Sequence, residues 1–275
     1  MRTISEMVRG LQRRTRLALG VPCHDPWEIN YRVNRLEDPV PAGSTFTFPW
    51  GEIEYVSASN LRGQYWEIYL KRHYAFKTTE VAPTIIDAGA NVGMSVIWFK
   101  QTYPGSRITA YEADPMIAAI LSRNLKAAAI NDVQVQQAAV WDHDGSVSFD
   151  DAGSDKGAIS AQGGASVPCI DLSRHLPERV DMLKMDIEGA EYAVIEKLSR
   201  DQTLRQVQNI SAEYHIQRHQ MDQFLDSMRL LRDSGMEVAF TADLGPHLGL
   251  APLEAALDVV GREQMLAQVY AWRQP

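Results

Sequence analysis

Cysteine is nearly absent: Cys23 and Cys169 are the only two in 275 residues, far apart and in unlike surroundings. That spacing excludes a disulfide framework and offers no cysteine-based metal site; it suits two reduced thiols. No uninterrupted apolar stretch is long enough to span a bilayer. The first residues also lack the apolar centre of a secretory signal, so a cytoplasmic location is expected. Positive charge is in deficit as well, with 27 Lys and Arg against 35 Asp and Glu and a net charge of -8. Binding a phosphate polymer needs clustered cations that release its counterions, so nucleic acid is not an expected partner.

What is present is a hydrophobic share of 45%, enough for a substantial core. The one locally basic segment is at the start, where Arg2, Arg9, Arg13, Arg14 and Arg16 stand against Glu6. Ile4, Met7, Val8 and Leu11 recur there at helical spacing. The pattern predicts a short amphipathic helix that docks on the core, on a second subunit in a homo-oligomer, or weakly on an anionic membrane face. Alternation around Pro49, Trp50 and Gly51 predicts a β-hairpin, and the run containing Tyr65, Trp66, Tyr69 and Tyr74 a helix with an aromatic face. Tyr65 and Trp66 could cover a pocket or pack the extension onto the core. Residues 1–80 thus read as an N-terminal helical and hairpin cap on a domain spanning 81–275.

Beyond Pro83 strands and helices alternate: TIIDAG, GMSVIWFKQTY, RITAYEA, PMIAAILSRNLKAAA, VQVQQAAV. Such a succession implies a mostly parallel sheet covered on both faces, a doubly wound α/β fold. Residues 142–166 interrupt it with an expected short hairpin and a Gly, Ser and Asp-rich loop. RVDMLKMDI, AEYAVIEKLSR and VQNISAEYH then resume it as strand, helix and strand. A helix near 220–235, a strand MEVAFTA, a short helix near 251–261 and a last strand in MLAQVYAWR complete the expected order.

In IIDAGANVGMS an apolar strand runs through Asp87 into Gly89 and Gly93, with Asn91 between them and Ser95 in the helix beyond. The spacing lacks the middle glycine of a dinucleotide fingerprint, which disfavours a nicotinamide cofactor. Glu112 ends the next strand, where a carboxylate can accept both hydroxyls of a ribose. A glycine turn beside a ribose-binding acid, with no provision for phosphate, points to S-adenosylmethionine. Asp87, Asn91 and Ser95 would face its amino-acid end, and Ala113, Ala138 and Asp186 complete the expected cofactor set.

The second cluster is LKMDIEGAE, where Asp186, Glu188 and Glu191 crowd behind a buried strand. Asp186 and Glu188 fall on the strand-end loop, at the edge where α/β proteins bind ligands. Glu191 falls in the first helical turn, where the macrodipole suffices to explain an acid. Lys184 shares the strand face of Asp186, so a direct contact between them is expected. Glu213 and His215 end the following strand on one face, and a carboxylate beside an imidazole makes a serviceable general base. Asp186, Glu188, Glu213, Lys184 and His215 are therefore the expected catalytic group. Asp186, Glu188, Glu213 and His215 would also suit a divalent metal, a less favoured alternative. Arg218 and His219 either reach the substrate or are solvated, and His247 has no assigned role.

The motifs DAGANVG at 87–93, EADP at 112–115, LKMDIEGAE at 183–191 and EYH at 213–215 together resemble the FkbM-type S-adenosylmethionine-dependent methyltransferases. The resemblance covers about half the chain, residues 84–216. It implies a class I, Rossmann-like sheet of seven strands with the last antiparallel. It also implies methyl transfer mostly to hydroxyl oxygen, commonly on sugars or secondary metabolites. The cap and the Gly/Ser loop fall outside it, so it does not supply the acceptor. The competing expectation is a non-catalytic module of the same fold that binds a protein partner through its basic N-terminal helix.

Overall fold

The computed structural model describes residues 25–150, 158–159, 165–243 and 264–274. The expected N-terminal amphipathic helix, most of the Gly/Ser loop, the helix near 251–261, Cys23, His247 and the Arg218 side chain lie outside the described residues.

Helix α1 (Pro26–Val33) starts at Asp25, whose carboxylate accepts the Trp27 amide at 2.8 Å, with Pro26 at its first position. The hairpin follows as β1 (Thr45–Phe48) and β2 (Gly51–Glu54), with Phe46, Phe48 and Ile53 turned inward. Helix α2 (Ala58–Gln64) then winds directly into a π-helical segment, Tyr65–Lys71, that stops at Arg72 in the left-handed region, φ 58°. Its Tyr65 and Tyr69 stack on each other, and Trp50 of the hairpin turn stacks on Tyr69.

The main body alternates as expected: β3 (Thr84–Ala88), α3 (Met94–Thr102), β4 (Arg107–Glu112), α4 (Pro115–Ala127), β5 (Val133–Gln137). Helix α4 is set by Asp114, which accepts the amides of Met116 and Ile117 at 2.7 and 3.1 Å, and by Pro115. A departure follows. The run 133–140 is not one strand: it breaks at Ala138, and β6 (Ala139–Trp141) joins a separate small sheet with β7 (Gly145–Asp150), β8 (Ala158–Ile159) and β9 (Ala165–Asp171). The expected short hairpin is thus part of a four-stranded sheet.

The short α5 (Leu172–His175), β10 (Met182–Met185), α6 (Glu191–Arg200), β11 (Asn209–Gln217), α7 (Met221–Asp233), β12 (Glu237–Asp243) and β13 (Gln264–Trp272) complete the order. The principal sheet has seven strands, β12-β13-β11-β10-β3-β4-β5, and β13 runs antiparallel to both neighbours while the other pairings are parallel. Adjacent residues of a strand serve opposite faces. Ile85 and Met182 pack with α3, α4 and the cap; Ile86 and Leu183 pack with α6 and α7. The cap therefore shares a core with one face of the sheet. Asn124 of α4 fixes the hairpin to it, accepting the Glu54 amide at 2.8 Å and donating to the Glu54 carbonyl at 2.9 Å. No helix among the described residues is long and apolar enough to cross a membrane.

Chain order runs outward in opposite directions from the adjacent strands β3 and β10, a topological switch point. A crevice is expected there at the carboxyl ends of the strands, and Gly89, Glu112, Asp186 and Glu213 all lie at that edge.

Candidate active site

A pocket of about 200 Å³ opens at this edge. Gly89 and Asn91 form one side, Glu112 and Ala113 the next, and Asp186, Glu188 and Glu213 the opposite end. Tyr111, Ile117, Ala138, Ala139 and Val140 give it an apolar wall adjoining Glu112. Among the described residues six carboxyl residues line it, Glu67, Glu112, Asp114, Asp186, Glu188 and Glu213, and no Lys, Arg or His does. A pocket of that make-up suits a ligand with net positive charge and an apolar ring, and repels phosphate.

Gly89 (φ 79°) and Gly93 (φ 94°) take left-handed conformations, as the turn requires. Gly89 is needed for a further reason: a Cβ there would stand 1.8 Å from the Asp186 carbonyl oxygen, so the glycine admits the neighbouring strand end. Asn91 is also left-handed, φ 48°, with its side-chain oxygen accepting the Val92 amide at 2.7 Å.

Glu112 is anchored by the amides of Asn91 and Asp114, at 2.8 and 2.9 Å on separate carboxylate oxygens. Each oxygen keeps a second lone pair, so a vicinal diol can still be accepted. Burial pushes this carboxyl up to about 7, against the lowering effect of both amides and of Lys184.

Three residues expected at the cofactor, Asp87, Gly93 and Ser95, do not line this pocket. Asp87 and Ser95 are buried behind the pocket wall, joined by a 2.6 Å hydrogen bond from the Ser95 hydroxyl. Lys184 is also fully buried, and its expected contact with Asp186 is replaced by an ion pair with Asp87 at 3.1 Å. The pairing of β10 with β3 sets Lys184 opposite Asp87. Partners on adjacent strands lie closer than residues two apart along one strand, about 4.8 against 6.6 Å. Lys184 donates as well to the Gly89 carbonyl, bracing the glycine turn from below.

The acidic loop is held by Glu191. This residue is fully buried at the start of α6 and reaches back to accept the amides of Ile187 and Gly189 at 2.8 and 2.9 Å. It acts as a staple for the loop, a role beyond interaction with the helix dipole. Burial pushes its carboxyl up to about 8, with the amides opposing. The stapled loop holds Glu188 at φ 54°, a left-handed conformation unusual for a non-glycine residue.

Glu188, Glu213 and His215 come together as expected. His215 Nε2 lies 3.1 Å from Glu188 Oε2 and 3.8 Å from Glu213 Oε1. The imidazole stands behind these two carboxyls and does not line the pocket. Burial, then the charges of Asp186, Glu67 and Glu188, raise the Glu213 carboxyl to about 9. Among the described residues no three His, Cys, Asp or Glu side chains are placed to hold a metal ion. His219 sits exposed in a short 3₁₀ turn after β11, outside the pocket.

The remaining wall is contributed by the cap. Asn60, Gly63, Gln64 and Glu67 face the pocket, whereas Tyr65 is buried in the core and Trp66 is exposed against Trp27. Their spacing of three, four and seven residues is one helical stripe, a signal present in the sequence opposite the aromatic face.

The family model described as "Methyltransferase FkbM domain" matches residues 87–238. The chain is 27% identical over 194 residues to methyltransferase sdnD of Sordaria araneosa, covering 54% of this chain and 74% of that protein. It is 32% identical over 88 residues to methyltransferase 1 of Beauveria bassiana (strain ARSEF 2860), covering 30% and 35%. Similar solved structures include methyltransferase FkbM from Methylobacillus flagellatus KT, with TM-score 0.46, 12% identity and coverage of 87% of this chain and 57% of that one. M. jannaschii TYW2 in complex with AdoMet has TM-score 0.46, 12% identity and coverage of 87% and 90%.

Proposed function

The chain belongs to the FkbM family of S-adenosylmethionine-dependent methyltransferases, with a class I sheet, and from that premise we propose that it methylates a hydroxyl oxygen of a small molecule or of a sugar moiety in a glycan or natural product. The observation that carries this reading is the pocket itself: a cavity whose described lining is acidic and holds no Lys, Arg or His, with Glu112 and an apolar wall at one end and Glu188 and Glu213, backed by His215, at the other. Glu112 would hold the ribose hydroxyls, Ala113, Ala138 and Ile117 would flank the adenine, and Gly89, Asn91 and Asp186 would lie along the amino-acid arm. Asp87, Ser95, Gly93 and Lys184 support these groups from behind. A division into a cap, residues 1–80, and a catalytic domain, 81–275, fits this arrangement.

S-adenosylmethionine, when bound, would supply an electrophilic methyl group to the acceptor oxygen, with the carbon–sulfur electron pair left on sulfur. The protein's task is to align the acceptor oxygen and take its proton. Glu213 and His215 are the group for that proton, with Glu188 fixing the imidazole through its 3.1 Å contact. Burial and the neighbouring carboxylates hold the Glu213 carboxyl well above its ordinary value, and a cation beside it lowers its proton affinity. Transfer is therefore expected to quicken as pH rises.

The test is methyl transfer from isotopically labelled cofactor to a panel of hydroxylated acceptors, with the methylated atom located by NMR. His215→Ala should lower turnover at least tenfold and leave cofactor affinity within about twofold, the scale of a general-base contribution being 10² to 10⁴. Methylation on nitrogen or carbon, or an unchanged rate in His215→Ala, would reject the corresponding part of the proposal.

A further inference from the structure

A second cavity, of about 310 Å³, adjoins the first. The π-helical segment and its end contribute Glu67, Lys71 and His73; the sheet contributes Glu213, Thr241 and Gln268, with Leu266 at one side. Glu67 and Glu213 line both cavities, so these two residues mark where the spaces meet.

The sheet register makes this a built surface. Glu213 pairs with Gln268, and Gln268 with Thr241, so the three stand in one row across β11, β13 and β12. Ser211 and Tyr270 form the next row on the same face. The opposite face of these strands, Ala212, Tyr214, Val269 and Ala271, is in the apolar core. A polar row half-covered by a helix is costly unless its groups are hydrogen-bonded. Gln268 donates to the Ser211 hydroxyl at 2.9 Å, which donates to the His73 carbonyl at 3.0 Å. That chain fastens the end of the π-helical segment to the sheet, and π-helical turns occur frequently at functional sites.

Resting on the methyltransferase reading above, we propose that this second cavity holds the acceptor and that Glu67 and Glu213 grip its reacting hydroxyl from opposite sides. The lining chemistry fixes the class of ligand. Two carboxyls beside the reacting end accept hydroxyl hydrogens and repel an anion there, while Lys71, Gln268 and Thr241 supply donors further out. The occupant is a compact polyhydroxylated group without negative charge at the end that is methylated. Glu67 is thereby assigned as a substrate-positioning and specificity residue. Asp186, Glu188, Glu191 and His215 also surround Glu213, so Glu67 contributes one charge among several.

Two experiments test this. Carbon-detected NMR of labelled glutamate carboxyls follows the titration of Glu213 without any acceptor. Glu67→Gln should lower its midpoint, whereas an unmoved midpoint places Glu67 too far away and overturns the pairing. With neutral methyl glycosides and the corresponding glycuronides as probe acceptors, the neutral set should be methylated at least tenfold faster. Thr241→Trp, which fills the rim, should lower kcat/KM for the acceptor at least twentyfold and leave S-adenosylhomocysteine affinity within twofold. Full acceptor activity in Thr241→Trp, or preference for the glycuronides, overturns the cavity assignment. Failure of the wild type to bind S-adenosylhomocysteine would instead sink the methyltransferase reading, and the Glu213 titration would still decide the pairing.

Discussion

Gly89 and Asp186 are packed backbone against backbone, so closely that a Cβ on residue 89 would stand 1.8 Å from the Asp186 carbonyl oxygen. The Asp186 amide in turn donates to the Ala88 carbonyl at 3.1 Å. The glycine turn and the acidic loop, distant in sequence, are thus one structural unit. Gly89→Ala must displace the acidic loop and strain a left-handed φ. Overpacking and the φ penalty together should cost about 2–4 kcal/mol. Thermal unfolding should show a midpoint lower by several degrees, with cofactor binding lost at temperatures where the variant remains folded.

The buried Lys184–Asp87 pair supports that unit from below. Removing one member leaves a buried charge without its partner, at about 3–5 kcal/mol. Urea unfolding of Lys184→Met should show a loss of this order, and Lys184→Met with Asp87→Leu should recover part of it. A double variant as unstable as the sum of the singles would mean that the two charges act independently.

Much of this was legible in the sequence for definite reasons. Gly89, Gly93 and Glu112 could be placed because strand ends and turn glycines have local signatures, and the EYH run gave the Glu213–His215 pairing through the period of two. The Lys184 contact was misjudged because a single strand's period says nothing about cross-strand register. Glu191 was undervalued because its reach back to Ile187 and Gly189 depends on the loop's path. Asn60, Gly63, Gln64 and Glu67 form a polar helical stripe, but such a stripe is ordinarily a solvated face, and only the packing of the cap on the sheet makes it a pocket wall. The small sheet rests on pairings between segments too short for a periodic signal.

If Glu112 holds the ribose as proposed, cofactor binding acquires a pH dependence. Its carboxyl sits at about 7, above the ordinary carboxylate value, and ribose hydroxyls would donate to the ionised form. Affinity should therefore strengthen as pH rises through 7 and level off above it. Between pH 8 and pH 6 the dissociation constant should rise about tenfold, following the ionised fraction. Calorimetry across this range should show the slope in the wild type and its loss in Glu112→Gln.

Strain at Glu188 predicts a trade of stability against function. A left-handed non-glycine residue costs about 1–3 kcal/mol, and Glu188→Gly relieves that strain while removing the contact to His215 Nε2. The variant should unfold at a higher urea concentration than the wild type, by about 1 kcal/mol, and should transfer methyl groups more slowly. Lower stability would show that the carboxylate's interactions outweigh its backbone strain.

The burial of Glu191 makes stability itself depend on pH. Its folded value of about 8 lies above the reference of 4.5, so between these values the folded chain holds a proton that the unfolded chain has released. Its contribution therefore declines as pH rises through that window. Urea unfolding at a series of pH values should show a shallower decline in Glu191→Gln.

The most direct test of the account is calorimetric titration of the wild type and Glu112→Ala with S-adenosylmethionine and with its demethylated product. One site per chain in the wild type, largely abolished by Glu112→Ala while the variant's unfolding transition stays cooperative, is the predicted result. Absence of binding to the wild type, or binding that Glu112→Ala leaves unchanged, would contradict the placement of the cofactor in the acid-lined pocket.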